Sequence, residues 1–265
     1  MTKTLDRADA LSLLQSSGRN ALELEALSRH FGALVALADI NLTVRAGERH
    51  AVLGSNGAGK TTLFNAITGD FPPTTGRVRL FGEDVTDLPA YERIRRGLRR
   101  TYQISLLFHQ LSVLDNVYLA CRGVSRARFS LRRPRRDDAL MEAAETLVSA
   151  VHLDGVRHVP VGELSHGQQR QLEIGLALAG APRLVLFDEP AAGLSPAERT
   201  ELVEILQAMP DHIAFIIIEH DMDVALRVSE RVTMMHNGRV FKTGTPDEIE
   251  SDPEVQALYL GGGHA

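Results

Sequence analysis

One cysteine, Cys121, is the entire thiol complement of this 265-residue chain. No internal disulfide can form, which fits a reducing compartment. Long apolar runs are missing too. The clearest one, Ile213–Ile218, is far short of the ~20 residues that a membrane-spanning helix needs. Met1–Asn20 carries Asp6, Arg7 and Asp9 without a sustained apolar stretch, so it does not read as a signal peptide. Positive charge is not in excess. A net charge of −5 gives no global reason to expect nucleic-acid binding. The chain shows no internal repeat and no trusted metal-ligand spacing among its histidines. The expectation is a cytoplasmic chain, unless a partner holds it at a membrane.

What is present is ordinary in amount and uneven in place. Hydrophobic content of 44% and charged content of 24% suit a soluble globular fold of one large domain or two small ones. Arg93, Arg95, Arg96, Arg99 and Arg100 form one basic cluster. Arg122, Arg126, Arg128, Arg132, Arg133, Arg135 and Arg136 form another. Each is either a solvated face or a contact for anionic lipid headgroups or an acidic partner surface.

Residues 1–20 read as an extension. From Leu22 short strands begin, with Leu22, Leu24 and Ala26 alternating with Glu23 and Glu25. Asn41–Val44 and Glu48–Leu53, joined by Ala46-Gly47, suggest paired strands, and Gly76–Leu80 suggests another. The character changes over residues 95–180, where helical patterns appear. Asp138–Val151 places Ala139, Leu140, Ala143, Leu147 and Val151 on one side. Pro134 makes Gly123–Arg136 a loop. Buried strands return at Leu184–Phe187 and Ala214–Ile218. Val232–Met235 and Arg239–Lys242 flank Asn237-Gly238, which suits a hairpin because both residues tolerate positive φ.

Gly54-Ser55-Asn56-Gly57-Ala58-Gly59-Lys60-Thr61 matches G-x-x-x-x-G-K-[ST] between an apolar strand, Ala51–Leu53, and a helix from Thr62. The glycines let backbone N–H groups surround phosphates, and the helix N-terminus adds a favourable dipole. Lys60 would neutralise β- and γ-phosphate charge, and Thr61 would hold Mg²⁺. Alone, the loop does not separate a kinase, a GTPase and a motor ATPase. Leu184–Glu189 is an apolar strand ending in two acids, and unpaired buried charge is costly without a use. Asp188 would orient Mg²⁺, and Glu189 would polarise the attacking water as general base. Ile216–His220 repeats the arrangement, delivering His220 at the carboxyl edge of a parallel sheet, where it would contact the γ-phosphate.

Together with Leu164-Ser165-His166-Gly167-Gln168-Gln169-Arg170, these pieces resemble the ATP-binding cassette ATPases over roughly residues 22–245. The resemblance implies an α/β fold: a P-loop NTPase (RecA-like) core with an N-terminal antiparallel β region and an inserted helical subdomain. The domain would cover residues 21–250, the insert about 97–177, and 251–265 would form a tail. Phe31 stands where that family stacks an aromatic ring on adenine. The stretch from Gly54 to Thr62 would bind the phosphates of ATP. Gln103 matches the glutamine that reaches Mg²⁺. Ser165, Gly167 and Gln168 belong to the signature that binds ATP held by a second subunit. His166 stands where that signature commonly has Gly, and Ser195 where many relatives carry Asp.

The resemblance implies a dimer with a second cassette subunit, membrane-spanning permease subunits, an indirect link to a periplasmic or extracellular solute-binding protein, and no nucleic acid. The location would be the inner face of the cell membrane. Asp188–Leu194, LSHGQQR, Glu219-His220-Asp221-Met222, Thr243–Pro246 and Ala257–Gly261 look like the ATPases of branched-chain amino-acid importers. Urea and short-amide importers, lipid or lipopolysaccharide exporters, and non-transport cassettes working on DNA or ribosomes are the alternatives.

Overall fold

The computed structural model describes residues 20–101, 107–124 and 139–260. The chain opens with β1 (Asn20–Phe31), β2 (Leu34–Arg45) and β3 (Arg49–Leu53). There follow α1 (Lys60–Thr68), β4 (Thr75–Leu80), β5 (Glu83–Asp84), α2 (Ala90–Arg95) and β6 (Leu98–Arg100). Three helices come next: α3 (Val113–Val124), α4 (Ala139–Ala150) and α5 (His166–Leu178). The rest is β7 (Leu184–Asp188), α6 (Pro196–Gln207), β8 (Ala214–Ile218), α7 (Met222–Val228), β9 (Arg231–His236), β10 (Arg239–Gly244), α8 (Pro246–Glu250) and α9 (Pro253–Leu260).

Two sheets result. An antiparallel sheet has the order β2-β1-β4-β5, and a second has the order β10-β9-β3-β8-β7-β6. The second is parallel from β6 to β9, with β10 as an antiparallel edge. It is the middle layer of the molecule. Leu184 and Leu186 face a core shared with α1 and the antiparallel sheet, while Val185 and Phe187 face a core shared with α3–α7. Burial on both faces explains why β7 and β8 read as unbroken apolar runs. The three helices α3, α4 and α5 pack on one another between β6 and β7.

Some local expectations need correction. Asn41–Val44 and Glu48–Leu53 do not pair with each other. Strand β2 pairs with β1, and β3 lies between β8 and β9. The turn at Ala46-Gly47 carries the chain from one sheet to the other, and a side chain at Gly47 would collide with the Asp211 carbonyl. Ala26 is exposed, with φ 47°, inside a register shift between Leu24 and Leu27. This is a β-bulge, which hands the buried position to Leu27. In α4 the inward stripe is Ala144, Val148 and then Val151, flanked by Leu140 and Leu147, whereas Ala139 and Ala143 are exposed. The five arginines from Arg93 to Arg100 do not share a surface. Arg93 is buried, and Arg100 enters a buried ion pair with Asp188. Gly123 and Val124 close α3, and residues 126–136 lie outside the described residues. Val255, in the stretch read as a tail, is buried. Among the described residues no helix is long and apolar enough to cross a membrane.

Candidate nucleotide site

Strand β3 runs into the Gly54–Thr62 loop, and α1 starts at Lys60. Gly59 precedes it at φ 100°, where a side chain would press on the Ala36 carbonyl at 2.8 Å. The loop is also held from the far end of the sequence. The Gly238 N–H donates to the Ala58 carbonyl (3.0 Å), and the Gly238 carbonyl accepts from the Ala38 N–H (2.8 Å). The Asn237-Gly238 turn, with φ of 47° and 72°, thus clamps the loop between two sheets.

A cavity of about 420 Å³ opens beside this loop. Asn56, Gly57, Ala58, Gly59, Lys60, Thr61 and Thr62 line it, and Glu189 and His220 enter from the ends of β7 and β8. Leu34, Val35 and Ala36 supply an apolar side. Phe31 is not part of the wall. It is 44% exposed and stands edge-on to Phe71 at 5.5 Å, with the Arg29 guanidinium 4.5 Å from its centroid. Gln103 lies outside the described residues.

Charge is concentrated below the loop. The buried Lys60 ammonium donates to the carbonyls of Gly54 (2.6 Å) and Ser55 (3.1 Å). Burial draws its pKa down, while Glu189 and Asp188 pull it back up. Asp188 is 3% exposed, and its Oδ2 accepts from Arg100 at 2.7 Å. Arg100 also reaches Asn65 (2.6 Å) and Asp70 (3.1 Å), so it ties β7 to α1. The other Asp188 oxygen, Oδ1, is buried and has no hydrogen-bond partner among the described residues. A buried, uncommitted carboxylate oxygen at the end of β7 suits Mg²⁺, which takes one or two protein oxygens and leaves the rest to phosphates and water. The residues fit the metal.

Glu189 adopts φ 51° directly after β7, and its N–H donates to the Ile218 carbonyl at 2.9 Å. A left-handed backbone at a non-glycine residue is strained, and such residues gather at functional sites. The Glu189 Oε1 meets the His220 Nε2 at 2.7 Å. A carboxylate and an imidazole in contact beside a phosphate-binding loop can align and deprotonate a water.

The signature segment lies at the start of α5, away from this cavity. Ser165 is its N-cap: its Oγ accepts from the Gln168 N–H, and Gln168 Oε1 accepts from the Ser165 N–H at 3.0 Å. A side chain on Gly167 would collide with the Glu198 carboxylate, so this glycine is a close-packing residue. His166 Nε2 lies 3.4 Å from the Ala192 carbonyl, in the segment after the acidic pair. Ser195 caps α6 in the same way as Ser165 caps α5. Serine and aspartate are comparable N-caps, so Ser195 does here what an aspartate could do.

Sequence reasoning missed two residues. Arg100 carried a signal, since it ends a strand just ahead of Gln103. Glu219 carried a weaker one, since it sits between an apolar strand and His220. Arg100 is explained by Asp188, 88 residues later, and Glu219 by Ala191, 28 residues earlier, together with the adjacent His220 N–H.

A family model described as an ABC transporter matches residues 37–192. The chain belongs to this family. It is an ATP-hydrolysing transporter subunit, and its cassette is a P-loop NTPase fold. A second model, described as a branched-chain amino acid ATP-binding cassette transporter, matches residues 243–265. The cassette is 34% identical to the high-affinity branched-chain amino acid transport ATP-binding protein BraF of Pseudomonas aeruginosa, covering 92% of this chain and 98% of BraF. It is also 34% identical to the lipopolysaccharide export system ATP-binding protein LptB of Acidithiobacillus ferridurans, covering 91% and 96%. Among solved structures, the ADP conformation of MJ1267, an ATP-binding cassette of an ABC transporter, superposes with a TM-score of 0.80 at 30% identity, covering 91% of this chain and 99% of that one.

Proposed function

We propose that this cassette hydrolyses Mg²⁺-ATP to power import of branched-chain or other amino acids. The observation that carries the hydrolytic part is the 2.7 Å contact between Glu189 and His220 at the mouth of the phosphate cavity. The backbone N–H groups from Gly54 to Thr62 bind the phosphates, and Lys60 neutralises them. Thr61, Asp188 and Gln103 would hold Mg²⁺, which would offset phosphate charge when bound. His220 steadies the γ-phosphate, and Glu189 takes the proton of the attacking water. Leu34 and Val35 give the cavity an apolar side for adenine, and Phe31, outside the wall, would have to leave Phe71 and Arg29 to stack on it.

Ser165, Gly167 and Gln168 lie apart from the cavity, which supports a site completed by a second cassette subunit. ATP then favours the closed pair, and hydrolysis releases it. Closure drives permease subunits at the inner face of the membrane, which receive solute from a periplasmic or extracellular binding protein.

For the solute, the match of residues 243–265 supports amino acids. Identity alone does not choose between import and export, since BraF and LptB are each 34% identical to this chain. The test is uptake of labelled leucine, isoleucine and valine in cells whose only copy carries Glu189→Gln. We expect uptake to fall to background while the variant still binds ATP. Normal uptake together with a defect in lipopolysaccharide export would replace this reading with the export one.

A further inference from the structure

Glu219 has no part in the mechanism above, yet it is 2% exposed and bonds to the backbone just after Glu189 and at His220. Its Oε1 accepts from the Ala191 N–H at 2.7 Å, and its Oε2 accepts from the His220 N–H at 3.2 Å. The ladder between β7 and β8 ends at Asp188 and Ile218, and the Glu189 N–H makes one last bond to the Ile218 carbonyl. Beyond that point no backbone bond joins the two strand exits among the described residues. The Glu219 carboxylate spans the gap, joining the segment after Glu189 to the residue that carries the imidazole.

We propose that Glu219 is a positioning residue for hydrolysis, setting the distance between Glu189 and His220 by bridging the two strand exits. A carboxylate suits this because both of its oxygens accept, whereas an amide offers one acceptor and aspartate is a methylene too short. Among the described residues no lysine, arginine or histidine forms an ion pair with it. Burial pushes its pKa up to about 7, and the backbone N–H groups of Ala191 and His220 oppose this. A residue serving only to fill the core would be better apolar. The bridge extends further, since Ala192, next to Ala191, meets His166 of the signature segment.

The inference rests on the hydrolytic reading, and one set of assays separates the two. Purified wild type, Glu219→Gln and Glu219→Ala are compared for ATP Kd, KM, kcat and unfolding temperature. We expect Kd and KM to stay within about twofold while kcat falls roughly tenfold in the glutamine variant and about a hundredfold in the alanine variant, as for a small misplacement of reacting groups. The glutamine variant should unfold no earlier than wild type. In a His220→Ala background, Glu219→Ala should lower single-turnover hydrolysis less than about twofold further, because the bridge acts through the imidazole. Unchanged kcat in both variants, kcat losses that track lost ATP affinity, or losses that add to those of His220→Ala would each overturn the inference. Absence of hydrolysis in wild type would overturn the hydrolytic reading and the inference with it.

Discussion

Asp188 and Glu219 are both buried carboxylates, but they meet the cost of burial differently. Asp188 takes Arg100 as a partner at 2.7 Å. Glu219 relies on backbone N–H groups, and burial lifts its pKa from 4.5 to about 7. The folded chain therefore keeps a proton on Glu219 between pH 4.5 and about 7, where the unfolded chain has lost it. This contribution to stability is full below pH 4.5 and is lost as the pH rises through about 7. The interval corresponds to a difference on the order of 3 kcal/mol. Glu219→Gln removes the titration. Its stability relative to wild type should climb across that window in urea unfolding, and a pH-independent difference would refute the assignment. Lys60, Asp188, Glu189 and His220 stood out in the sequence because each lies within two residues of the end of an apolar strand or a glycine loop. Arg100 was not. It reads as a neighbour of Arg93 in a basic run, and its meaning comes from Asp188, 88 residues later.

Helix α1 shows how an element is held at its far end. It begins at Lys60 and stops at Gly69, which takes φ 82°. The Arg93 guanidinium then collects the carbonyls of Ala66 (2.7 Å) and Ile67 (2.8 Å), together with those of Leu88 and Thr86 (both 2.9 Å). Burial lowers its pKa to about 10, so it keeps its charge at neutral pH and favours the helix C-terminus. Arg93→Leu leaves those carbonyls without a donor and should cost about 3 kcal/mol. Urea unfolding at pH 7 checks this, and an unchanged midpoint would remove the anchor. Elements with a single strong pattern were readable in advance, such as β7, β8 and the β9–β10 hairpin. The bulge at Ala26 and the inward face of α4 were not. The bulge depends on β4, where a side chain at Gly76 would collide with the Glu25 and Ala26 carbonyls. The α4 face is set by packing against α3 and α5.

For the whole molecule, the alternation of strands and helices gave the α/β class, but not the position of β3 between β8 and β9. Register with strands more than 160 residues later leaves no local mark. The separation of the signature from the phosphate cavity yields a test of the paired cassette. Lys60→Ala and Ser165→Ala chains should each be inactive alone. In a homodimer, one composite site of the mixed pair keeps both intact residues. An equimolar mixture should then recover up to about a quarter of wild-type ATPase activity, by random pairing of two isologous halves. A mixture as inactive as its components would sink the homodimeric form of the composite site.

The clamp on the phosphate loop also has an order in time. The loop is translated early, but the donor for the Ala58 carbonyl is Gly238, and both strands flanking β3 lie beyond residue 213. A growing chain thus carries its phosphate-binding residues through most of synthesis without the neighbours that shape them. The clamped form of the loop exists only once β8, β9 and the Asn237-Gly238 turn are in place, so nucleotide meets it late.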